Sequence, residues 1–238
     1  MTRHAILTSD EHRDLRVRVE PSAELGDAVM SAFTVPLEFR RIQHDFPILF
    51  RRDDHGDFSA LALLGFETGE NLFLVGDRWD AGYKPLSLAI QPFLVGRSAD
   101  ASGYAEVHID LDHPRIARNG EGMLLFEQAG QPTPYLERIS AMLDELDVGY
   151  RASKAFFAAL NRYDLLEPFA LDVELRDGSK HRMVGYHLIN EEKLREFEPG
   201  AVAELHSEGH LMPIFMALAS LSNLGSLIER KNRRNGHV

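Results

Sequence analysis

The sequence predicts an α+β fold with a β-rich first half, a helical second half that contains one β-hairpin, and a long C-terminal helix. Three observations lead to this prediction. Up to about residue 110, short apolar stretches are separated by Gly, Pro and Asp, which is typical of strands and turns. After residue 130, apolar residues recur every three or four positions, as along one face of a helix. Two alternating stretches around Asp177 and Gly178 predict a hairpin between these helices.

In the first half, the pattern predicts mostly strands with two short helices. Residues 15–19 alternate apolar and charged side chains, and Pro21 follows them. Helices are expected near residues 23–32 and over residues 37–46, the second ended by Pro47, which disfavours helical geometry at the residue before it. The strands are predicted at residues 15–19, 47–51, 58–66, 72–75, 87–95 and 105–110.

In the second half, Thr133 with Pro134 has the form of a helix start, and the apolar spacing predicts helices up to about residue 147 and again over residues 152–163. Asn190 is expected to cap a short helix, and Pro199 to open another.

The hairpin pattern also predicts a pairing of residues. If Asp177 and Gly178 form a two-residue type I′ turn, the residue numbers of the two partners in each cross-strand pair add up to 355. This register places Phe169 opposite Tyr186, Leu171 opposite Val184, and Glu174 opposite His181.

The C-terminal segment 211–228 is apolar and free of formal charge, and basic residues follow it. A membrane anchor has this appearance, but Pro213, several serines and Asn223 dilute the segment, and its apolar residues are periodic. We therefore predict a helix buried in the protein or facing a partner, with no membrane insertion. Leu218 and Leu221 lie near the centre of its apolar stripe.

The composition indicates a globular protein and excludes several functions. The chain has 238 residues, 44% of them hydrophobic and 26% charged, which allows a substantial core. Its 26 Lys and Arg against 37 Asp and Glu give a net charge of −11, which repels a nucleic-acid backbone. The lack of cysteine excludes disulfides and thiolate metal sites. No linker, repeat or N-terminal apolar signal region is evident, so we expect a single domain over residues 1–238 in the cytoplasm.

Motifs that carry chemistry are few. The sequence has no phosphate-binding loop, nucleophile elbow, zinc helix or dinucleotide fingerprint. His108 and Asp110 form an HxD pair on a predicted strand, the arrangement that supplies two of the three ligands of a non-haem iron site. Candidates for the distal ligand are His181, His187 and His206. A polar edge strand is the commoner meaning of such a tripeptide, so we predict no metal and no cofactor.

Aromatic residues in a Gly-rich connection provide the candidate binding residues. Trp79 and Tyr83 lie between Gly76 and Pro85. Aromatic loop residues line ligand grooves in some proteins, whereas more often they fix the loop to the core. Both interpretations stay open, and we take Trp79 and Tyr83, with Pro92 and Phe93 downstream, as candidates for binding a peptide or protein.

A series of short motifs resembles the bacterial SapC family in order and spacing. In the first half they are His44-Asp45-Phe46-Pro47-Ile48-Leu49-Phe50, Ala62-Leu63-Leu64-Gly65-Phe66, Glu70-Asn71-Leu72-Phe73, Trp79 with Tyr83-Lys84-Pro85, and Pro92-Phe93. In the second half they are Leu125-Phe126, Gly130, Phe157 with Leu160, Asp164-Leu165-Leu166-Glu167-Pro168, Asp177-Gly178, Gly185, and Gly209 with Leu211 through Ser220. The likeness covers nearly the whole chain. One departure is visible: many members have a pair of arginines before a Tyr-Pro-Phe, whereas this chain has Ala89-Ile90-Gln91-Pro92-Phe93.

The resemblance implies an accessory role. The family is associated with surface-layer protein export, and its members are often encoded beside TonB-dependent receptors. It is distinct from the similarly named peptide-transport permease. We favour a cytoplasmic, non-enzymatic accessory protein that binds a protein or peptide partner, with a homodimer through the C-terminal helix as one form of that partnership. The alternative is a non-haem Fe(II) oxygenase that uses His108 and Asp110.

Overall fold

The structure is a computed structural model and describes residues 3–97 and 105–236. Its strands, in chain order, are β1 (His4–Ile6), β2 (Arg16–Val17), β3 (Ser31–Thr34), β4 (Ile48–Arg52), β5 (Phe58–Leu63), β6 (Leu74–Val75), β7 (Arg78–Trp79), β8 (Phe93–Arg97), β9 (Ala105–Asp110), β10 (Ile116–Ala117), β11 (Met123–Leu124), β12 (Leu166–Glu174) and β13 (Lys180–Ile189). Its α-helices are α1 (Ser9–His12), α2 (Phe39–Ile42), α3 (Leu86–Ala89), α4 (Pro134–Arg162), α5 (Glu191–Arg195), α6 (Pro199–Ser207), α7 (Leu211–Ser220) and α8 (Asn223–Arg234). The predicted α+β class is confirmed.

The chain forms two compact units, each assembled from separate segments. The first consists of Met1–Ala28, Leu74–Trp79 and Leu86–Val148, and the second of Val29–Phe73, Asp80–Pro85 and Gly149–Val238. The segments of the two units alternate along the chain. This explains why no linker or shift in composition marks a boundary.

The first unit contains two small antiparallel sheets with the strand orders β1-β9-β8 and β10-β2-β11, and the hairpin β6-β7. The first half of α4 contributes Leu136, Ile139 and Leu143 to its core, where Phe93 and Ile109 are also buried. Thr133 caps α4 as predicted, because its Oγ1 accepts a hydrogen bond of 3.4 Å from the Leu136 amide.

The second unit is built on a five-stranded antiparallel sheet with the order β12-β13-β4-β5-β3. Its core is aromatic: the ring centroids of Phe39, Phe50 and Phe156 lie 6.0–6.5 Å apart. The second half of α4 supplies Phe156, and α5 to α8 complete the unit. Asn190 caps α5 through a 2.8 Å bond from the Lys193 amide, and Pro199 opens α6, both as predicted.

Three predicted elements of secondary structure are wrong. Residues 23–32 contain only the 3₁₀ turn Ala23–Leu25, which Gly26 ends with a φ of 95°, and then the strand β3. The predicted strand at 87–95 begins as helix α3 and becomes β8 only at Phe93. The two helices predicted at 133–163 are one helix of 29 residues.

The single long helix passes through Gly149, where a glycine is required by packing. A β-carbon at this position would lie 2.5 Å from Cγ2 of Val35. The apolar spacing predicts a break between residues 147 and 152, but in the structure Gly149 allows close contact between the continuous helix and Val35.

The β12-β13 hairpin has a different turn from the predicted one. The Gly178 amide donates to the Leu175 carbonyl (3.0 Å), and Gly178 has a φ of 81°, whereas Asp177 does not have the positive φ that a type I′ turn requires. The loop is one residue longer than predicted, so Glu174 pairs with Lys180 instead of His181.

A β-bulge then restores the predicted register farther from the turn. Val184 and Gly185 together oppose Ala170, and Gly185 has a φ of 83°. Phe169 pairs with Tyr186 as predicted, whereas Leu171 pairs with Met183, not with Val184.

Replacing Gly178 by valine is expected to destabilise the hairpin by about 1 to 2 kcal/mol, because a β-branched residue is strained at the positive φ of this position. Chemical denaturation of the variant measures this cost. The matched control is Lys180→Val, on an exposed position of the adjoining strand, which we expect to be nearly neutral. Equal midpoints for the wild type and the Gly178 variant would contradict the turn geometry.

The predicted long C-terminal helix is present as α7 and α8, separated by a turn at Leu221 and Ser222. On α7, Ile214, Ala217 and Ser220 are buried. The predicted centre of the buried stripe is wrong, because Leu218 and Leu221 are only half-buried. The Ile48 amide at the start of β4 donates to Oγ of Ser220 (2.9 Å), which holds α7 to the sheet.

Candidate functional site

Three of the four predicted binding residues lie in the first unit. Trp79 is half-buried on β7, where it pairs with Leu74. Pro92 is buried, and Phe93 is 1% exposed in the core of the unit. Because the ring of Phe93 contacts the protein's own core, the structure gives it a packing role and no open face for a ligand.

The fourth predicted residue, Tyr83, belongs to the second unit and is held by a buried carboxylate. Its hydroxyl donates to Oε1 of Glu38 (2.8 Å), and Oε2 of Glu38 accepts from Thr34 (2.7 Å). The guanidinium of Arg41 lies 4.9 Å from the ring centroid of Tyr83. These contacts match the interpretation in which loop aromatics fix the loop to the fold.

His108 and Asp110 lie on β9, as predicted. The ring of His108 covers Gly96, since a β-carbon there would lie 2.0 Å from the ring, and its Nε2 is 3.6 Å from Glu106. Oδ1 of Asp110 accepts the Asp112 amide (3.0 Å). In residues 3–97 and 105–236, no group of three His, Asp or Glu side chains has a geometry that could hold a metal ion. The described residues therefore supply no third ligand for the iron site.

An apolar groove in the second unit is a candidate interaction surface. We call it the α7 groove, and it encloses about 540 Å³. It is lined by Pro36, Leu37, Arg40, Ala152, Phe156, His206, Glu208, Gly209, His210, Leu211, Met212, Pro213 and Met216. A volume of this size is in the range of pockets that bind ligands or several side chains of a partner.

The groove exists because α7 buries only one of its faces. Ile214 and Ala217 pack inward, whereas Met212 is 56% exposed and Phe215, one turn later, is 54% exposed. On the other wall, Leu37 is 55% exposed. Leu37 and Met212 line the groove, so its walls carry large apolar side chains that the described chain does not cover.

Charged groups at the rim differ in their pairing. Glu208 is bound by Arg162 (2.6 Å). Nη2 of Arg40 lies 2.9 Å from the sulfur of Met212, and Arg40 has no carboxylate partner within the part of the chain that the structure describes. The groove therefore combines an apolar floor with one available cation.

The segment that carries the groove also meets the criteria for a membrane span. Leu211–Arg234 is long and apolar enough by length and composition, and 22% of an apolar 18-residue window in it is buried. One such helix is weak evidence for a membrane segment, because core helices of soluble proteins meet the same criteria.

The sequence was compared with known families and proteins. It matches the family model described as SapC over residues 7–227. The chain belongs to the SapC family. No curated protein and no solved structure matches it significantly.

The SapC match confirms the resemblance found in the sequence and places the groove within the family region. All groove-lining residues lie between 36 and 216, inside the matched range, whereas Lys231 and the basic residues after it lie outside. Gln91, directly before Pro92, has a buried Oε1 that finds no hydrogen-bond partner among the described residues.

The sequence interpretation did not single out Met212, Leu37 and Arg40. It placed Phe215 on a stripe that is buried in the protein or faces a partner. The spacing of Met212, Phe215 and Met216 does signal an apolar face. It does not indicate which of two apolar faces the rest of the chain covers, so the exposed face could not be identified from periodicity.

Proposed function

We propose that this SapC-family protein is a non-enzymatic accessory protein of the cytoplasm that binds a protein partner through the α7 groove. It serves in the surface-protein or outer-membrane uptake systems with which the family is associated. The observation that carries the proposal is the uncovered apolar surface of the α7 groove, where Leu37 and Met212 are 55% and 56% exposed.

The groove chemistry defines the partner segment as an apolar helix or peptide with an acidic residue at its edge. Met212 and Met216 provide flexible side chains that adapt to different apolar shapes. Arg40 stands at the rim without a carboxylate partner among the described residues, and an acidic residue of the partner would pair with it. Amphipathic helices bind such grooves through apolar anchors on one face.

Two other occupants fit the charges less well. A two-fold dimer built on the groove would bring two copies of Arg40 into one interface, where they would repel each other. An anionic membrane surface would be repelled by the net charge of −11.

The test begins with a photo-cross-linking amino acid at position 212 in the native bacterium. The control carries the same group at Val184, which is 62% exposed on the hairpin of the same unit and does not line the groove. We expect cross-links from position 212 to an apolar segment with a flanking acidic residue, and none of these from position 184.

Affinity for the synthetic partner segment is then measured with purified full-length protein. Arg40→Glu is expected to weaken binding about tenfold or more, the effect of losing one charge-assisted contact. Exchanging the partner's acidic residue for arginine should restore the affinity of the Arg40→Glu variant. Met212→Glu should weaken binding strongly, whereas Val184→Glu should leave it unchanged.

Three results would overturn the proposal: cross-links of position 212 to a second copy of the chain, cross-links to lipid, or equal affinities of the Met212 and Val184 variants. Fractionation of the bacterium tests the cytoplasmic location. Recovery of the full-length chain only in detergent would contradict it.

A further inference from the structure

A second cavity of the second unit is lined by aromatic rings and has no role in the proposed partner binding. We call it the aromatic cleft, and it encloses about 410 Å³. Its lining residues are Phe33, Asp57, Phe58, Ser59, Tyr150, Ser153, Lys154, Phe157, Ala158 and Asn161. None of them lines the α7 groove.

One wall of the cleft is a stripe of helix α4. The stripe carries one aromatic ring near each end, Tyr150 and Phe157, with Lys154 between them, and Asn161 one turn beyond. Spacings of three and four residues place these side chains on the same helix face. The opposite wall comes from β3, the edge strand of the sheet, and from the start of its neighbour β5.

The rings are held in position by the core. Phe157 lies edge-on to Phe50, with centroids 6.0 Å apart and planes at 87°. Phe58 lies nearly parallel to Phe157 (6.4 Å, 26°) and edge-on to His187 (5.0 Å). Tyr150, 53% exposed, stands 6.2 Å from Phe33 at the mouth. The cleft is therefore a preformed aromatic surface, which lowers the cost of ordering side chains on binding.

The polar groups of the cleft are available to a ligand. Within residues 3–97 and 105–236, the ammonium of Lys154 has no hydrogen-bond or ion-pair partner, and neither does the side-chain amide of Asn161. Asp57 also lines the cleft, and its carboxylate forms no ion pair with Lys154. A cation and an amide donor beside stacked rings complement a flat molecule that carries a negative charge.

We propose that the aromatic cleft binds a small planar aromatic carboxylate. The aromatic part packs in the cleft against the rings of Tyr150 and Phe157, and the carboxylate accepts hydrogen bonds from Lys154 and Asn161. Asp57 disfavours a second carboxylate on the same ligand, because like charges in one site repel. The charges and hydrogen-bonding groups of the cleft therefore restrict which ligands can bind more than the volume of the cleft does.

The test measures binding of 2-naphthoate to the purified full-length protein by isothermal titration calorimetry. Lys154→Met is expected to weaken binding about tenfold, the usual effect of losing one charge-assisted hydrogen bond. Tyr150→Ala, at an exposed position that does not threaten folding, should weaken it severalfold. The matched control is Lys180→Met, at a lysine of the same unit outside the cleft, which should bind like the wild type.

Three further ligands separate the contributions of the aromatic ring, the negative charge and the number of carboxylates to binding. Cyclohexanecarboxylate keeps the charge and removes the aromatic ring, 2-naphthylmethylamine reverses the charge, and naphthalene-2,6-dicarboxylate adds a second carboxylate. All three should bind more weakly than 2-naphthoate. The Met212→Glu variant should bind 2-naphthoate normally, so this test is independent of the α7 groove.

Absence of 2-naphthoate binding at millimolar concentration would overturn the proposal. So would affinities that are the same for the wild type, Lys154→Met and Tyr150→Ala, because the ligand would then bind elsewhere. Thermal melting of each variant confirms that the protein remains folded during the measurement.

Discussion

Replacing Arg115 by methionine is expected to lower the free energy of unfolding of the first unit by about 3 to 5 kcal/mol, because the buried carboxylate of Asp27 loses its cation. Arg115 is 2% exposed and Asp27 is fully buried, and Nη2 lies 2.6 Å from Oδ2. Nη1 also donates to the carbonyls of Arg18 (2.9 Å) and Glu20 (3.1 Å). One side chain thus fixes a carboxylate and two backbone carbonyls.

The fluorescence of Trp79 measures this loss, because it is the single tryptophan of the chain and belongs to the first unit. Arg18→Met is the control, since Arg18 pairs with Glu20 at the same distance of 2.6 Å but its side chain is 38% exposed. We expect the Arg18→Met substitution to lower the free energy of unfolding by less than about 1 kcal/mol. The double variant Arg115→Met, Asp27→Asn should recover part of the stability. Equal effects of the two arginine variants would contradict a special role for the buried pair.

The elements that follow from local chemistry were predicted well from the sequence. The caps Thr133 and Asn190 and the proline start of α6 each depend on a few adjacent residues, and each is confirmed. Strands β4 and β5 also lie where the sequence predicts strands at residues 47–51 and 58–66. Within the β12-β13 hairpin, the apolar alternation of β12 matches its more buried positions, whereas on β13 Val184 is 62% exposed and Met183 is buried. The turn was not predictable either. Asp177-Gly178 is compatible with two turn types, and the compensating bulge at Gly185 has no distinct signature.

The elements that depend on distant packing were predicted less well. The sequence around Gly149 indicates a break in the helix, whereas contact with Val35 makes this glycine part of a continuous helix. The strand β3 exists because it pairs with β5, from Ser31 opposite Leu63 to Thr34 opposite Ala60, and no local pattern reveals this. Interleaving of the two units hides their boundary for the same reason.

Aromatic residues in the sequence do not by themselves identify the binding surfaces of this protein. Tyr83 stood out in the sequence, yet its hydroxyl is bound to the buried Glu38. Phe215 belongs to the apolar stripe that we predicted to be buried in the protein or to face a partner, and it is 54% exposed. Tyr150 and Phe157 bring the rings of α4 into the cleft, and their spacing of seven residues equally fits a core stripe. Whether the rest of the chain covers a given apolar helix face depends on how the whole protein folds.

Helix α8 is attached to the second unit by a second buried ion pair. Nζ of Lys231 lies 2.6 Å from Oε1 of Glu70, and the two residues are 5% and 8% exposed. The other oxygen of Glu70 accepts the Phe66 amide (2.9 Å). A β-carbon on Gly65 would lie 2.8 Å from the Glu70 carbonyl oxygen, so this glycine allows the chain to close around the carboxylate.

Lys231→Met is therefore expected to destabilise the second unit by about 3 to 5 kcal/mol and to increase amide hydrogen exchange in α8, because it leaves the Glu70 carboxylate buried without a cation. The control is Lys193→Met, which removes a pair of the same 2.6 Å length with Asp164, at side chains that are 38% and 85% exposed. That variant should cost less than about 1 kcal/mol. Adding Glu70→Gln to Lys231→Met should recover much of the loss, since no uncompensated charge then remains buried. If both lysine variants lose the same stability, or if exchange in α8 is unchanged, the buried pair does not hold the helix.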